Sequence, residues 1–310
     1  MPPDARSCAS GGQKLTLKRL IMEPSFYLVQ LLNGIQYGFL LFLVASGLTL
    51  LFGIMGIINL AHGSFYMIGA YLAYWLSGMT GSLWLGILLG LPLALLLGYA
   101  VERFAISFLY RRDHLYQVLL TFALILIFNE MQRILWGNDV HGVAIPAALA
   151  GSIPLTENQV YPVYRLFISA ACIVIAAAMY WVIQKTRLGM MIRAGSSNRE
   201  MVQALGINVN RLFAIVFSLG VALAAFAGML AAPVDSVYPG MGENILIISF
   251  VVVVIGGTGS IKGAFVGAML IGLVSTFGKV MLPEMASMSV YAMMAVILLW
   301  RPQGLFGRAV

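Results

Sequence analysis

Six predominantly apolar stretches, at 26–52, 82–101, 117–136, 164–184, 212–232 and 264–282, run through this chain of 310 residues, and a shorter seventh lies at 286–300. About 20 apolar residues are needed for a helix to cross the hydrocarbon core of a bilayer, so each of the six is long enough to span one. Composition agrees: 61% of residues are hydrophobic and 9% are charged. Soluble domains carry about 25% charged residues, and a water-soluble chain of this length could not bury so much apolar surface. The expected fold class is all-α, a polytopic membrane helix bundle of eight or nine spans. Residues 1–25 read as a polar, disordered tail and 26–310 as one transmembrane domain; a start at Met22 is an alternative reading of the N-terminus.

Two further apolar stretches are broken by glycine and polar residues. One, 54–78, is interrupted at Gly56, Asn59, His62 and Gly63; the other, 245–255, ends in Gly256, Gly257, Gly259 and Gly263. Unpaired backbone is not tolerated against lipid, so such breaks must be buried in protein or line a cavity. Asn59, His62, Gly63, Gly256, Gly257, Gly259 and Gly263 are therefore the expected translocation-pathway residues. The order His62-Gly63-Ser64-Phe65 before Gly69-Ala70 is echoed by Lys262-Gly263-Ala264-Phe265 before Gly267-Ala268, a short likeness that raises an internal repeat. For Asn59 and His62 the leading role is bonding of freed backbone groups, with cavity lining second and a proton relay third.

The net charge of +7 does not imply a nucleic-acid partner, because the basic residues sit in short loops. Segments 102–116 and 185–211 and the C-terminus are rich in Lys and Arg, whereas 137–163 and 233–244 contain none. Cytoplasmic loops carry the basic excess, so the first group is expected inside and the second outside. The side of the N-terminus is left open: three full crossings before residue 102 put it outside, two put it inside.

Within 186–211, Ser197 and Glu200 have the spacing of a capping box. Met201, Val202, Ala204 and Leu205 form a short apolar face, and Gly206 suits a helix stop. The result is a small helix between two spans, whose apolar side needs a partner protein, the membrane or its own bundle to cover it. Other polar residues in the spans read as structural. Glu130 and Arg133 are three apart and can pair, and Glu130 is the only acid expected well inside a span. Asn33, Gln36, Thr49, Ser275 and Thr276 can bond neighbouring helices, and Lys279 is placed to snorkel.

Several chemistries are excluded. The run 256–263 lacks the third glycine of a dinucleotide loop, and around 272–280 Val280 stands where a phosphate loop needs Ser or Thr. Cys8 and Cys172 lack metal-ligand spacing. No carboxylate pair, Ser-His-Asp group or metal cluster is apparent, so the chain is not expected to be an enzyme, to hold a metal or to bind a cofactor.

Four stretches carry a resemblance. GIINLAHGSFYMIGAY (56–71), RLGMMIRAGSSNREMVQALGINVNRL (187–212), VVIGGTGSIKGAFVGAMLIG (253–272) and RPQGLFG (301–307) resemble the LivH-type permease subunits of branched-chain amino acid ABC importers. The resemblance implies a multi-pass protein of the bacterial inner membrane. It further implies two ATP-binding subunits, a second homologous permease subunit of LivM type and an external solute-binding protein as partners. The segment that would dock on the ATP-binding subunit matches at Ala194, Glu200, Ala204, Gly206 and Ile207; the capped helix adds Ser197 and Leu205. The family also includes permeases for urea and short amides and is distantly related to ribose-type sugar permeases. Urea or amide transport is thus the first alternative, an ion-coupled secondary transporter the second and a membrane scaffold the third. The sequence shows no buried charge pair, which suits a permissive path.

Overall fold

The structure, a computed structural model, describes residues 24–110, 112–156, 159–197 and 199–307. The expected tail therefore lies outside the described residues through position 23. Eleven α-helices are found among the described residues: α1 (Pro24–Met55), α2 (His62–Thr80), α3 (Leu83–Phe104), α4 (His114–Trp136), α5 (Val163–Lys185), α6 (Arg187–Ser197), α7 (Arg199–Ala204), α8 (Val209–Asp235), α9 (Met241–Gly256), α10 (Ile261–Met281) and α11 (Ala286–Trp300). Seven are long and apolar enough to cross a membrane, which makes the chain a multi-pass membrane protein; α2 and α9 are the helices that flank the glycine breaks. One short hairpin departs from the all-α expectation. Strands β1 (Ser152–Thr156) and β2 (Gln159–Pro162) pair antiparallel, with Ile153 opposite Tyr161.

Contacts sort the connecting segments into two ends. At one end Val202, Val209 and Phe213 form a small apolar cluster joined by Ile54, Met55 and Tyr110, and Gly257 lies against Gly304 and Gly307 of the C-terminal tail. At the other, His141 and Val237 exchange backbone hydrogen bonds at 2.8 Å, and Asn129 donates to Glu243 at 2.8 Å. The basic segments thus share one end and the segments without Lys or Arg share the other, as the charge asymmetry predicts. Asn33, near the start of α1, accepts from Arg165 at the start of α5. The first described helix therefore begins at the end poor in basic residues.

Helices α1 and α8 form the centre, with about three-quarters of their apolar windows buried. Without a hydrophobic drive between helices in lipid, close approach rests on small residues. A methyl at Gly47 of α1 would stand 2.7 Å from the carbonyl oxygen of Gly220 in α8. One at Gly272 of α10 would meet the Gly34 oxygen of α1 at 2.5 Å. Gly228 of α8 sits directly on the Tyr66 carbonyl of α2, and Gly69 of α2 on the backbone of Ala225.

The basic end differs from expectation in one respect. Residues 186–211 hold two helices before α8, because α6 follows α5 after a sharp elbow. Gly189 packs on the backbone carbonyl of Ile183, which also accepts from the Arg193 guanidinium. Helix α8 is started by Asn208, whose side-chain oxygen accepts from the Arg211 N–H at 3.1 Å. Replacing Asn208 with alanine should cost about 1 kcal/mol, visible as a lower thermal midpoint of the purified protein, whereas Asn208→Ser should be near neutral; equal midpoints for Ala and wild type would refute the cap.

Candidate functional site: an outer cavity and an inner docking segment

At the end poor in basic residues, α1, α2, α5, α8, α9 and α10 enclose an open cavity of about 560 Å³. Its polar lining comes from Gln30, Asn33, Gln36, Tyr37, Tyr66, Arg165, Asp235, Tyr238, Asn244, Thr276 and Lys279. Its apolar lining comes mainly from Leu40, Ile168, Val234, Ile245, Ile248 and Val280. The linker between α8 and α9 closes one side. Ser236 there has φ +60°, a strained value for a residue with a side chain, and the adjoining Val237–His141 bridge holds it. His141 in turn stacks on Tyr74 with ring centroids 4.3 Å apart.

The expected pathway residues lie outside this lining. Asn59 and His62 are fully buried at the joint between α1 and α2. Asn59 accepts from the Ala61 N–H at 3.1 Å, and the His62 Nε2 lies 2.9 Å from the Val44 carbonyl oxygen. The backbone-bonding role expected for both is what the geometry contains, while Asn59 Nδ2, His62 Nδ1 and nearby Thr49 Oγ1 have no hydrogen-bond partner. Gly63 packs on Gly242 at the start of α9. That contact borders the cavity, since Tyr66 is one turn further along α2 and Met241 adjoins Gly242.

Gly256, Gly257, Gly259 and Gly263 gather at the basic end. Gly256 lies against Gly263, and Gly259 against Gly53 of α1. Ser260 caps α10 by accepting from the Gly263 N–H at 3.1 Å. The tail returns to cover the end of α9: Leu305 N–H donates to Ile255 O at 2.8 Å and Phe306 N–H to Gly256 O at 3.0 Å. Exposed carbonyls at a helix end must find donors, and RPQGLFG supplies them here. The two likenesses at 62–70 and 262–268 thus serve different joints, one between α2 and α9, the other between α9 and α10.

One sequence expectation is revised. Lys279 does not simply reach for the membrane surface: it lines the cavity, with Nζ 5.5 Å from the Tyr37 ring centroid, within cation–π range. Glu130 keeps its place as the one acid well inside a long span among the described residues, while buried Glu102 near the end of α3 accepts from the Tyr110 hydroxyl and α8 ends on Asp235. No buried charge pair is found among the described residues, yet Arg165, Asp235 and Lys279 share the cavity. Glu130 and Arg133 do pair, at 2.7 Å on an exposed helix face, and Asn33 does bond a neighbouring helix. Arg165 and Asp235 escaped the sequence reading. The one signal for them was an arginine at the end where basic residues are otherwise depleted.

At the basic end, α7 is pinned by buried Val202. Gly206 has φ +80°; its N–H donates to Gln203 O and that of Ile207 to Val202 O, the paired bonds of a glycine-terminated helix. Ala194, Glu200, Ala204, Leu205 and Gly206 are exposed, Leu205 at 72%, and Ile207 packs partly on the cluster. The side chain of Ser197, and with it the capping box, lies outside the described residues. Beside α7's neighbours a second cavity of about 670 Å³ is lined by Tyr99, Glu102, Arg103, Ser107, Asn208 and Arg211, among others.

Comparison with known proteins decides the family. The family model described as "Branched-chain amino acid transport system / permease component" matches residues 30–299. The chain belongs to this permease family. It is 32% identical to the high-affinity branched-chain amino acid transport system permease protein BraD of Pseudomonas aeruginosa, over 92% of this chain and 97% of that one. It is 28% identical to LivH of Escherichia coli, named as a high-affinity branched-chain amino acid transport system permease protein, over 91% and 96% of the two chains. The ribose import permease protein RbsC of Escherichia coli is 33% identical across only 33% of this chain. No solved structure matches.

Proposed function

We propose that this permease is a membrane-spanning subunit of an ABC importer for leucine, isoleucine and valine in the bacterial inner membrane. The observation that carries the reading is likeness along nearly the whole chain to permeases named for branched-chain amino acids. Nine passages are proposed, the seven long apolar ones together with α2 and α9; alternating directions then leave α1 starting outside and α11 ending inside. A solute-binding protein delivers solute to the outer cavity. Two ATP-binding subunits dock on the segment 194–207, and a LivM-type permease completes the translocating pair. Movement of the docked segment reaches α8 through the Val202–Val209–Phe213 cluster, and from α8 reaches α2 through the Gly228–Tyr66 contact. The glycine joints, including Asn59, His62, Gly63, Gly256, Gly257, Gly259 and Gly263, are proposed as the packed floor that parts during transport. No cofactor is assigned to the chain, and ATP hydrolysis is assigned to the partner subunits.

The test is uptake of labelled L-leucine into proteoliposomes. The chain with its partner subunits and binding protein should accumulate leucine when ATP is supplied, and should continue to do so with a proton or sodium ionophore present. Accumulation by the chain alone, or collapse under ionophore with ATP maintained, would remove the proposal.

A further inference from the structure

Three ionic side chains from three different helices face one space in the outer cavity: Arg165 of α5, Asp235 of α8 and Lys279 of α10. Among the described residues the only ion pair within 4 Å is Arg133–Glu130. The charges therefore stand apart across the cavity instead of closing on one another. Each is also held. The Arg165 Nη1 donates to Asn33 at 2.7 Å, which fixes one nitrogen and leaves the rest of the guanidinium fork for a second acceptor. Lys279 lies over the Tyr37 ring. Asp235 is the last residue of its helix, followed by the constrained Ser236. The wall beyond them is aliphatic, built by Ile168, Ile245 and Ile248.

We infer that this cavity is a binding site for the zwitterionic head of an aliphatic α-amino acid, with Asp235 taking the ammonium, Arg165 the carboxylate and the isoleucine wall the side chain. The inference rests on the amino-acid reading of the function and deepens it, by assigning recognition to the permease itself. Its logic is that of separated opposite charges. A neutral solute such as urea or a short amide would strip water from them without supplying counter-charges, which is costly. An α-amino acid carries both complements on one carbon and satisfies both sides at once. The volume lies within the range of about 300–1,000 Å³ usual for small-ligand sites. Lys279 gives the site a net positive charge, so the carboxylate end is the more strongly drawn.

The experiment uses the intact transporter in nanodiscs without its solute-binding protein, with saturation-transfer NMR of L-leucine reading weak binding directly. The wild type should show transfer to the leucine methyl groups. L-isoleucine should displace it, while leucinamide, 4-methyl-2-oxopentanoate and acetamide should not. Asp235→Asn should weaken leucine by at least about tenfold and abolish the preference for leucine over 4-methyl-2-oxopentanoate, which lacks the ammonium. Arg165→Gln should abolish the preference over leucinamide, which lacks the carboxylate, and Arg165→Lys should restore part of it. Unchanged leucine binding in both variants, absence of leucine binding in the wild type, or equal loss of every compound in all three variants overturns the inference. The outcomes separate from those of the proposed function. A transporter that accumulates leucine but fails these comparisons keeps its function and loses this site, whereas one that never accumulates leucine loses the function first.

Discussion

Leu205→Asp is expected to abolish ATP-driven leucine uptake while leaving the permease folded. Leu205 follows α7 and is 72% exposed, so its replacement removes little packing within the chain. Its neighbour Val202 is the buried anchor that holds α7 to Val209 and Phe213, and that anchor is untouched. If an ATP-binding subunit covers Ala204, Leu205 and Gly206, the new carboxylate is carried into an apolar contact without a partner. Penalties of about 2–4 kcal/mol are usual for disrupting a central interface contact, enough to weaken docking by roughly 30- to 1,000-fold. Co-purification of the ATP-binding subunits should fall accordingly and uptake should drop to background, while the thermal midpoint of the isolated permease stays at its wild-type value. Normal co-purification with normal uptake would show that this segment is not the docking surface.

Gly228→Val should have the largest effect on stability. Gly228 of α8 rests on the Tyr66 carbonyl, with the Ala70 nitrogen of α2 3.1 Å from where a β-carbon would stand. The obstacles are main-chain atoms, which cannot step aside as a side chain can, so α2 and α8 must separate. Overpacking costs about 1–3 kcal/mol, occasionally more, and a valine at a backbone-to-backbone contact belongs at or above the upper end. Because Tyr66 also lines the outer cavity, solute handling should fail along with stability. Gly78 supplies the control: it is in α2, the helix against which Gly228 packs, and a methyl group added there would meet nothing within 4 Å. Gly78→Ala should be neutral or stabilising by up to about 1 kcal/mol. Thermal unfolding in detergent compares the two; equal midpoints would refute the argument from close approach.

What the sequence disclosed, and what it withheld, follows the range of the forces involved. The long helices are legible because burial in lipid acts on every residue of a span: α5, expected over 164–184, runs Val163–Lys185. The stop at Gly206 is legible because it depends on one residue's backbone freedom. The two ends are legible because Lys and Arg distribute by side of the membrane. The cavity is not, since Arg165, Asp235 and Lys279 lie far apart along the chain and meet only when α5, α8 and α10 pack. The glycine breaks were visible as breaks, yet glycine serves close approach as readily as cavity lining, and only packing distinguishes Gly63 against Gly242 from a residue facing solute. The return of RPQGLFG to the end of α9 is likewise a non-local pairing, with no pattern of its own in the tail.

The floor proposed below the cavity includes contacts of main chain on main chain. Gly63 on Gly242 and Gly47 on Gly220 bring helix backbones into direct contact, with the His62 ring and Leu246 packed alongside. Rotamer flips take picoseconds to nanoseconds, whereas collective helix displacements take microseconds to milliseconds. Where main chain rests on main chain, rotamer flips alone cannot part the helices. Between turnovers such a subunit should leak few ions, and the cell's proton and sodium gradients would be spared by a feature as plain as the absence of β-carbons.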